Sequence, residues 1–95
     1  MAMHVGTVRI QLYLPGPGSL KEKRAIVKRL IAQARREFNV SIAEIGALDD
    51  HQRAELGAAF VSNDGGLNNR VLAKLVEFLE RDPQVFVEDY SFELL

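Results

Sequence analysis

The chain contains no cysteine. That absence excludes a disulfide scaffold, a thiol nucleophile and any zinc site built on thiolates. It also lacks any apolar run approaching the roughly 20 residues that span a bilayer. The opening stretch MAMHVGTVRIQL has no basic region followed by a continuous apolar one, so it does not read as a secretory signal. A soluble cytoplasmic protein is therefore expected. Disorder is disfavoured in turn, because 47% of the residues are hydrophobic and 26% charged, a globular mixture. Ninety-five residues suffice for one core and no second, so residues 1–95 read as a single domain.

What is present is distributed unevenly. The net charge is only −1, but residues 1–40 carry eight basic and two acidic side chains, whereas residues 41–95 carry four basic and eleven acidic. The halves stand at +6 and −7. Total charge thus says nothing about an anionic partner, and local charge becomes the informative quantity.

Hydrophobic periodicity supplies the fold. Val8, Ile10, Leu12 and Leu14 alternate with Arg9, Gln11 and Tyr13, the period-two pattern of a half-buried strand. Pro15-Gly16-Pro17-Gly18 ends that strand, since proline donates nothing to a ladder. Ser19 and Glu22 form an S-x-x-E capping box, which starts a helix. Leu20, Val27, Leu30, Ile31, Ala34 and Phe38 make its core-facing stripe, with Asn39 as a left-handed stop. VSIAEIGAL and RAELGAAFVSN, joined by DDHQ, read as a hairpin. Ser62, Asn63 and Asp64 cap a second helix that carries Val71, Leu72, Leu75, Val76 and Leu79 on one face and ends before Pro83. A last strand sets Phe86, Tyr90, Phe92 and Leu94 against Val85, Val87, Asp89 and Ser91. The order βαββαβ predicts an α+β ferredoxin-like sandwich, two helices on one face of a four-stranded antiparallel sheet.

The stretch PGPGSLKEKRAIVKRL holds the first candidate chemistry. A glycine-preceded helix N-terminus suits an anion, but no Gly-Lys pair of a phosphate loop occurs and Glu22 would repel a phosphate. The basic side chains are the stronger signal. At about 100° per residue, Lys21, Arg24, Lys28 and Arg35 share a narrow band, with Arg29 and Arg36 at its shoulder. The expectation is a band opposite the apolar stripe, facing solvent, able to meet successive phosphates in a salt-sensitive way. Lys23 projects toward the apolar side instead, so it is expected to snorkel beside the sheet or meet an acidic partner.

The uncovered sheet face does not fit base stacking. Stacking needs aromatic rings on the central strands, where this chain has Arg9 and Gln11 followed by Gly57, Ala59 and Val61. Together with Val85 and Val87, these small and apolar residues suit a second copy, so a homodimer through the open face is expected. Asp49, Asp50 and His51 sit together in the hairpin turn, where adjacent side chains diverge and aspartates commonly bond their own backbone. No catalytic residue, metal site or cofactor is assigned. A metal-dependent hydrolase centred on those three residues is the least favoured reading.

SLKEKR, FNVSIAEIG, QRAELG and VSND, taken in this order along nearly the whole chain, resemble the YlxP-like family of small bacterial proteins of unknown function. Lys21, Glu22, Lys23 and Arg24 match its basic-helix motif, and Gln52, Arg53, Ala54, Glu55, Leu56 and Gly57 its third-strand motif. The resemblance implies a ferredoxin-like fold and, from the translation-related gene surroundings of such proteins, a ribosomal or RNA-linked role. It implies no catalytic residue. Many members carry a histidine before the hairpin aspartate, where this chain has Ala47-Leu48, which weakens a metal reading of the loop. The function expected is that of a non-enzymatic accessory protein contacting RNA or a ribosomal surface through Lys21, Arg24, Lys28, Arg29, Arg35 and Arg36. The alternative is a homo-oligomeric ligand-sensing or protein-interaction module, the acidic half of one subunit meeting the basic helix of the next. No membrane partner is expected.

Overall fold

A computed structural model describes residues 2–95. The elements run β1 (His4–Tyr13), α1 (Leu20–Glu37), β2 (Ser41–Gly46), β3 (Arg53–Ser62), α2 (Gly65–Glu80) and β4 (Phe86–Leu94). The strands form one antiparallel sheet in the order β2-β3-β1-β4. This is the expected βαββαβ arrangement. The alternating residues Val8, Ile10 and Leu12, with Leu14 beyond the strand, are buried against Val27, Leu30 and Ala34 of α1 and Leu72, Leu75, Val76 and Leu79 of α2. Helix α1 lies over β2, whereas α2 lies over β1, β3 and β4.

The helix ends show how local chemistry sets the boundaries. Ser19 Oγ accepts from the Glu22 N–H at 3.2 Å, and the Glu22 carboxylate reaches back to the Gly18 N–H at 2.5 Å. The box therefore closes one residue earlier than the usual pattern. At the other end the helix stops at Phe38 in an extended conformation, its N–H bonded to Ala34. The left-handed stop expected at Asn39 does not form; Phe38 turns its ring onto Phe78 of α2, edge to face at 5.7 Å. Asp64 caps α2 by accepting from Gly66 and Leu67.

A buried asparagine, which apolar periodicity cannot reveal, ties three elements together. Asn68 Nδ2 donates to the carbonyls of His4 and Phe60, both at 3.1 Å, and its Oδ1 accepts from Ser62 Oγ. The side chain fits because Gly6 lies beneath it, where a Cβ would come within 3.0 Å of the Asn68 Cβ.

Strand β4 departs from the expected alternation. Gln11 pairs with Asp89 but Leu12 pairs with Val87, so Glu88 is an extra residue, a bulge. Before it, Val85 is buried in the core and Val87 is half-buried beside Leu12, while Phe86 lies exposed against Tyr13. After it, Tyr90, Phe92 and Leu94 fall opposite Ile10, Val8 and Gly6, on the helix side. The open-face assignment of Val85 and Val87 is thereby corrected: one inserted residue inverts which side chains point to which face.

Two ion pairs hold α1 in place. Lys23 is completely buried, its Nζ donating to the Ala47 carbonyl at 2.8 Å and lying 2.6 Å from Glu44 Oε2. It thus meets an acidic partner, one of the two expected fates. Ala47 has a φ of 56°, the one non-glycine residue in the left-handed region among the described residues, and its carbonyl is the one Lys23 reaches. On the opposite flank Arg29 grips Asp82 through two nitrogens, at 2.8 and 3.1 Å, and Gln84 at 2.6 Å. The hydrogen bond from Arg29 is the main cause holding the Asp82 carboxyl below its ordinary value of 3.8, against burial that pushes it up. The same bond raises the Arg29 pKa.

Removing one partner of a buried pair strands the other charge. Lys23→Met is expected to lower the urea-unfolding free energy by about 3–5 kcal/mol, with most of the loss recovered in Lys23→Met/Glu44→Leu. A single mutant no less stable than the double would contradict the role given to the pair. Asp82, with a depressed pKa, contributes stability that is complete above its unfolded value and lost as pH falls through its folded one. The stability advantage of the native chain over Asp82→Asn should therefore be largest near neutral pH and shrink below pH 3.8. A difference independent of pH would refute this account.

Candidate anion-binding surface on the first helix

Of the seven cations on α1, two are consumed by the fold. Lys23 is the buried partner of Glu44, and Arg29 is bound to Asp82 and Gln84. Arg29 thus does not stand free beside its neighbours, as its helical angle alone suggests. Its partner lies 53 residues away, on the turn after α2. The other five, Lys21, Arg24, Lys28, Arg35 and Arg36, are exposed and join no ion pair among the described residues. They extend along about 22 Å of helix axis, at 1.5 Å per residue.

Their position differs from the expected one. Lys21, Arg24, Lys28 and Arg35 sit about 110° around the helix from the buried stripe, on its flank rather than its back. That flank borders a cleft of about 520 Å³ between α1 and the edge strand β2. Arg24, Lys28 and Arg35 form its cationic side, and Val27, Ile31 and Ile42 its apolar floor. Glu44 also lines it, with its carboxylate turned to Lys23. Arg35 is oriented by donating to the Ile42 carbonyl at 3.1 Å, a neutral acceptor that leaves its charge uncompensated.

The glycine-preceded N-terminus of α1 is capped by the chain's own side chains. The Glu22 carboxylate already occupies the Gly18 N–H, and the Ser19 hydroxyl occupies that of Glu22. In the hairpin turn, Asp50 Oδ1 accepts from the Gln52 N–H at 2.8 Å, the local backbone bond expected of such an aspartate. Asp49 and His51 are exposed. Among the described residues no group of three or more histidines or carboxylates is placed to hold a metal ion.

The open sheet face is polar as well as small-sided. Arg9 pairs with Glu55 at 3.2 Å and Arg53 with Glu88 at 3.1 Å, around Gly57, Ala59 and the exposed Val61. Its aromatic residues, Tyr13 and Phe86, stack on each other at 6.2 Å, and the Arg53 guanidinium lies 4.3 Å above the Tyr13 ring. No helix of the structure is long and apolar enough to cross a membrane among the described residues.

The family described as "Protein of unknown function (DUF503)" matches residues 5–92. The "Uncharacterized protein YlxP" of Bacillus subtilis (strain 168) is 36% identical over 81 residues, covering 85% of this chain and 88% of that protein. Among solved structures, the "De novo designed protein Foldit4" superposes with a TM-score of 0.53 at 14% identity, over 99% of this chain and 97% of that one. A likeness at that identity concerns the fold alone. The family match and the Bacillus relative together span almost all of the sequence, and on them the chain belongs to the DUF503 family, the group that contains YlxP-like proteins.

Proposed function

We propose that this protein is a non-enzymatic accessory factor that binds RNA, free or at a ribosomal surface, through the exposed cations of α1. The observation that carries the reading is the set of five uncompensated positive charges on one helix of a chain whose net charge is −1. Helix stability does not account for all of them. Arg35 and Arg36 in the last turn are favoured by the helix dipole, but Lys21 and Arg24 stand near the N-terminal end, where the dipole disfavours a cation. The chain has carboxylates to spare and neutralises Lys23 and Arg29 with them, yet Arg24, Lys28 and Arg35 border their cleft without such a partner. A polyanion is the partner that such a row suits, contacted through phosphates and not through base stacking.

Binding of this kind releases counterions, so affinity should fall steeply with salt. With about five phosphate contacts, raising salt from 50 to 200 mM is expected to weaken binding to a structured RNA hairpin by roughly one hundredfold to five hundredfold. Lys28→Glu/Arg35→Glu should bind at least about tenfold more weakly at 50 mM and show a shallower salt slope. Fluorescence anisotropy with labelled RNA reads both quantities, with circular dichroism confirming the fold of the double mutant. A double mutant that binds like the native chain would exclude α1 as the contact surface.

A further inference from the structure

The bulge at Glu88 leaves a surface that the RNA-binding reading does not use. Beyond it, Tyr90, Phe92 and Leu94 form a row on the helix side of β4 and remain 47%, 41% and 51% exposed although α2 packs against this edge strand. Tyr90 and Phe92 pack edge to face at 5.5 Å. The backbone beside this row is also unpaired on one side. The Leu95 N–H donates to Val5, which makes Leu95 and Val5 a hydrogen-bonded pair with β1. In an antiparallel ladder such pairs alternate, so Ser91 and Glu93 turn their polar backbone groups inward to β1, and Tyr90, Phe92 and Leu94 turn theirs outward. The same three residues thus present both the apolar side chains and outward backbone groups, of which the Tyr90 N–H is held by Asp89 Oδ1 at 2.9 Å.

We propose that β4 pairs with β4 of a second copy, antiparallel about a twofold axis through Phe92. An axis normal to the sheet keeps both helix layers on one side; the acidic residues exclude two registers, and matching the three outward apolar residues with one another selects the register centred on Phe92. Centring the pair on Ser91 would set Asp89 against Glu93 of the other copy, and centring it on Asp89 would set that residue against itself; like charges directly opposed are destabilising. Centring on Phe92 opposes Tyr90 to Leu94, Phe92 to Phe92 and Ser91 to Glu93, so no carboxylate meets another. It also aligns the outward backbone groups, which supplies four interchain hydrogen bonds, and two more once each Tyr90 N–H exchanges Asp89 for the other copy. The three side chains from each copy bury on the order of 500 Å² of apolar surface, and with the paired backbone the contact approaches the roughly 1,000 Å² of a specific interface. The result is an eight-stranded sheet. Helix α1, over the opposite edge strand, stays uncovered in both copies, so the dimer carries two basic rows.

The chain's lack of cysteine makes the register directly testable. Purified full-length protein is examined by sedimentation equilibrium, and single Phe92→Cys and Ser91→Cys variants are oxidised mildly. A dimer mass is expected, undisturbed by Val61→Glu on the open face and weakened about tenfold or more by Phe92→Glu. Phe92→Cys should form a covalent dimer, since self-opposed hydrogen-bonded residues lie about 5.5 Å apart between Cα atoms, within disulfide reach. Ser91→Cys should not, because its two copies stand about 8 Å apart in this register. A monomeric mass throughout, equal cross-linking at both positions, or a dimer lost in Val61→Glu and kept in Phe92→Glu would each overturn the proposal.

Discussion

The position of α1 depends on a lysine ammonium buried beneath it. Lys23 has no exposed surface, and its charge is met by Glu44 and by the carbonyl of Ala47. Both acceptors belong to β2 or to the residue that follows it, so the pair fixes the helix to the short edge strand over which it lies. Burial of the ammonium is costly unless its partners are in place, which makes the geometry close to all-or-none. The backbone of Ala47 adopts a left-handed conformation that non-glycine residues seldom hold, and it does so where its carbonyl faces Lys23. On the other flank, Arg29 and Asp82 tie the same helix to the turn leading into β4.

The proposed function rests on what these two pairs leave over. The fold consumes the two cations that point inward or sideways toward carboxylates, and of the remaining ones Arg24, Lys28 and Arg35 line the cleft beside β2. Charge segregation in the sequence therefore survives folding only in part. The acidic second half of the chain reaches α1 at Glu44 and Asp82, while Glu55 and Glu88 are spent on Arg9 and Arg53 across the open face. The row of unpaired cations on α1 lies beside one edge strand, β2, and the exposed aromatic row lies on the other edge strand, β4. A partner on one need not displace a partner on the other.

Much of the architecture was legible because it rests on local rules. Alternation marked β1, the S-x-x-E box marked the start of α1, and the Asp64 cap and apolar stripe marked α2. The cation row was equally visible, since helical spacing alone places Lys21, Arg24, Lys28 and Arg35 on one band. Asn68 was not visible: a polar residue within an apolar stripe gives no sign of whether it will be buried, and its acceptors on His4 and Phe60 come from two other elements.

By itself, the sequence determined the element order, the apolar faces that bury the core and the concentration of positive charge on the first helix, all of them consequences of periodicity and composition within one segment. Only the tertiary structure decided which cations remain free, because neutralisation depends on carboxylates brought from Glu44 and Asp82 by chain crossings that leave no local trace. It likewise decided the faces of β4. A single bulged residue at Glu88 reverses the alternation, and that insertion is defined by the register against β1 rather than by anything within the strand itself.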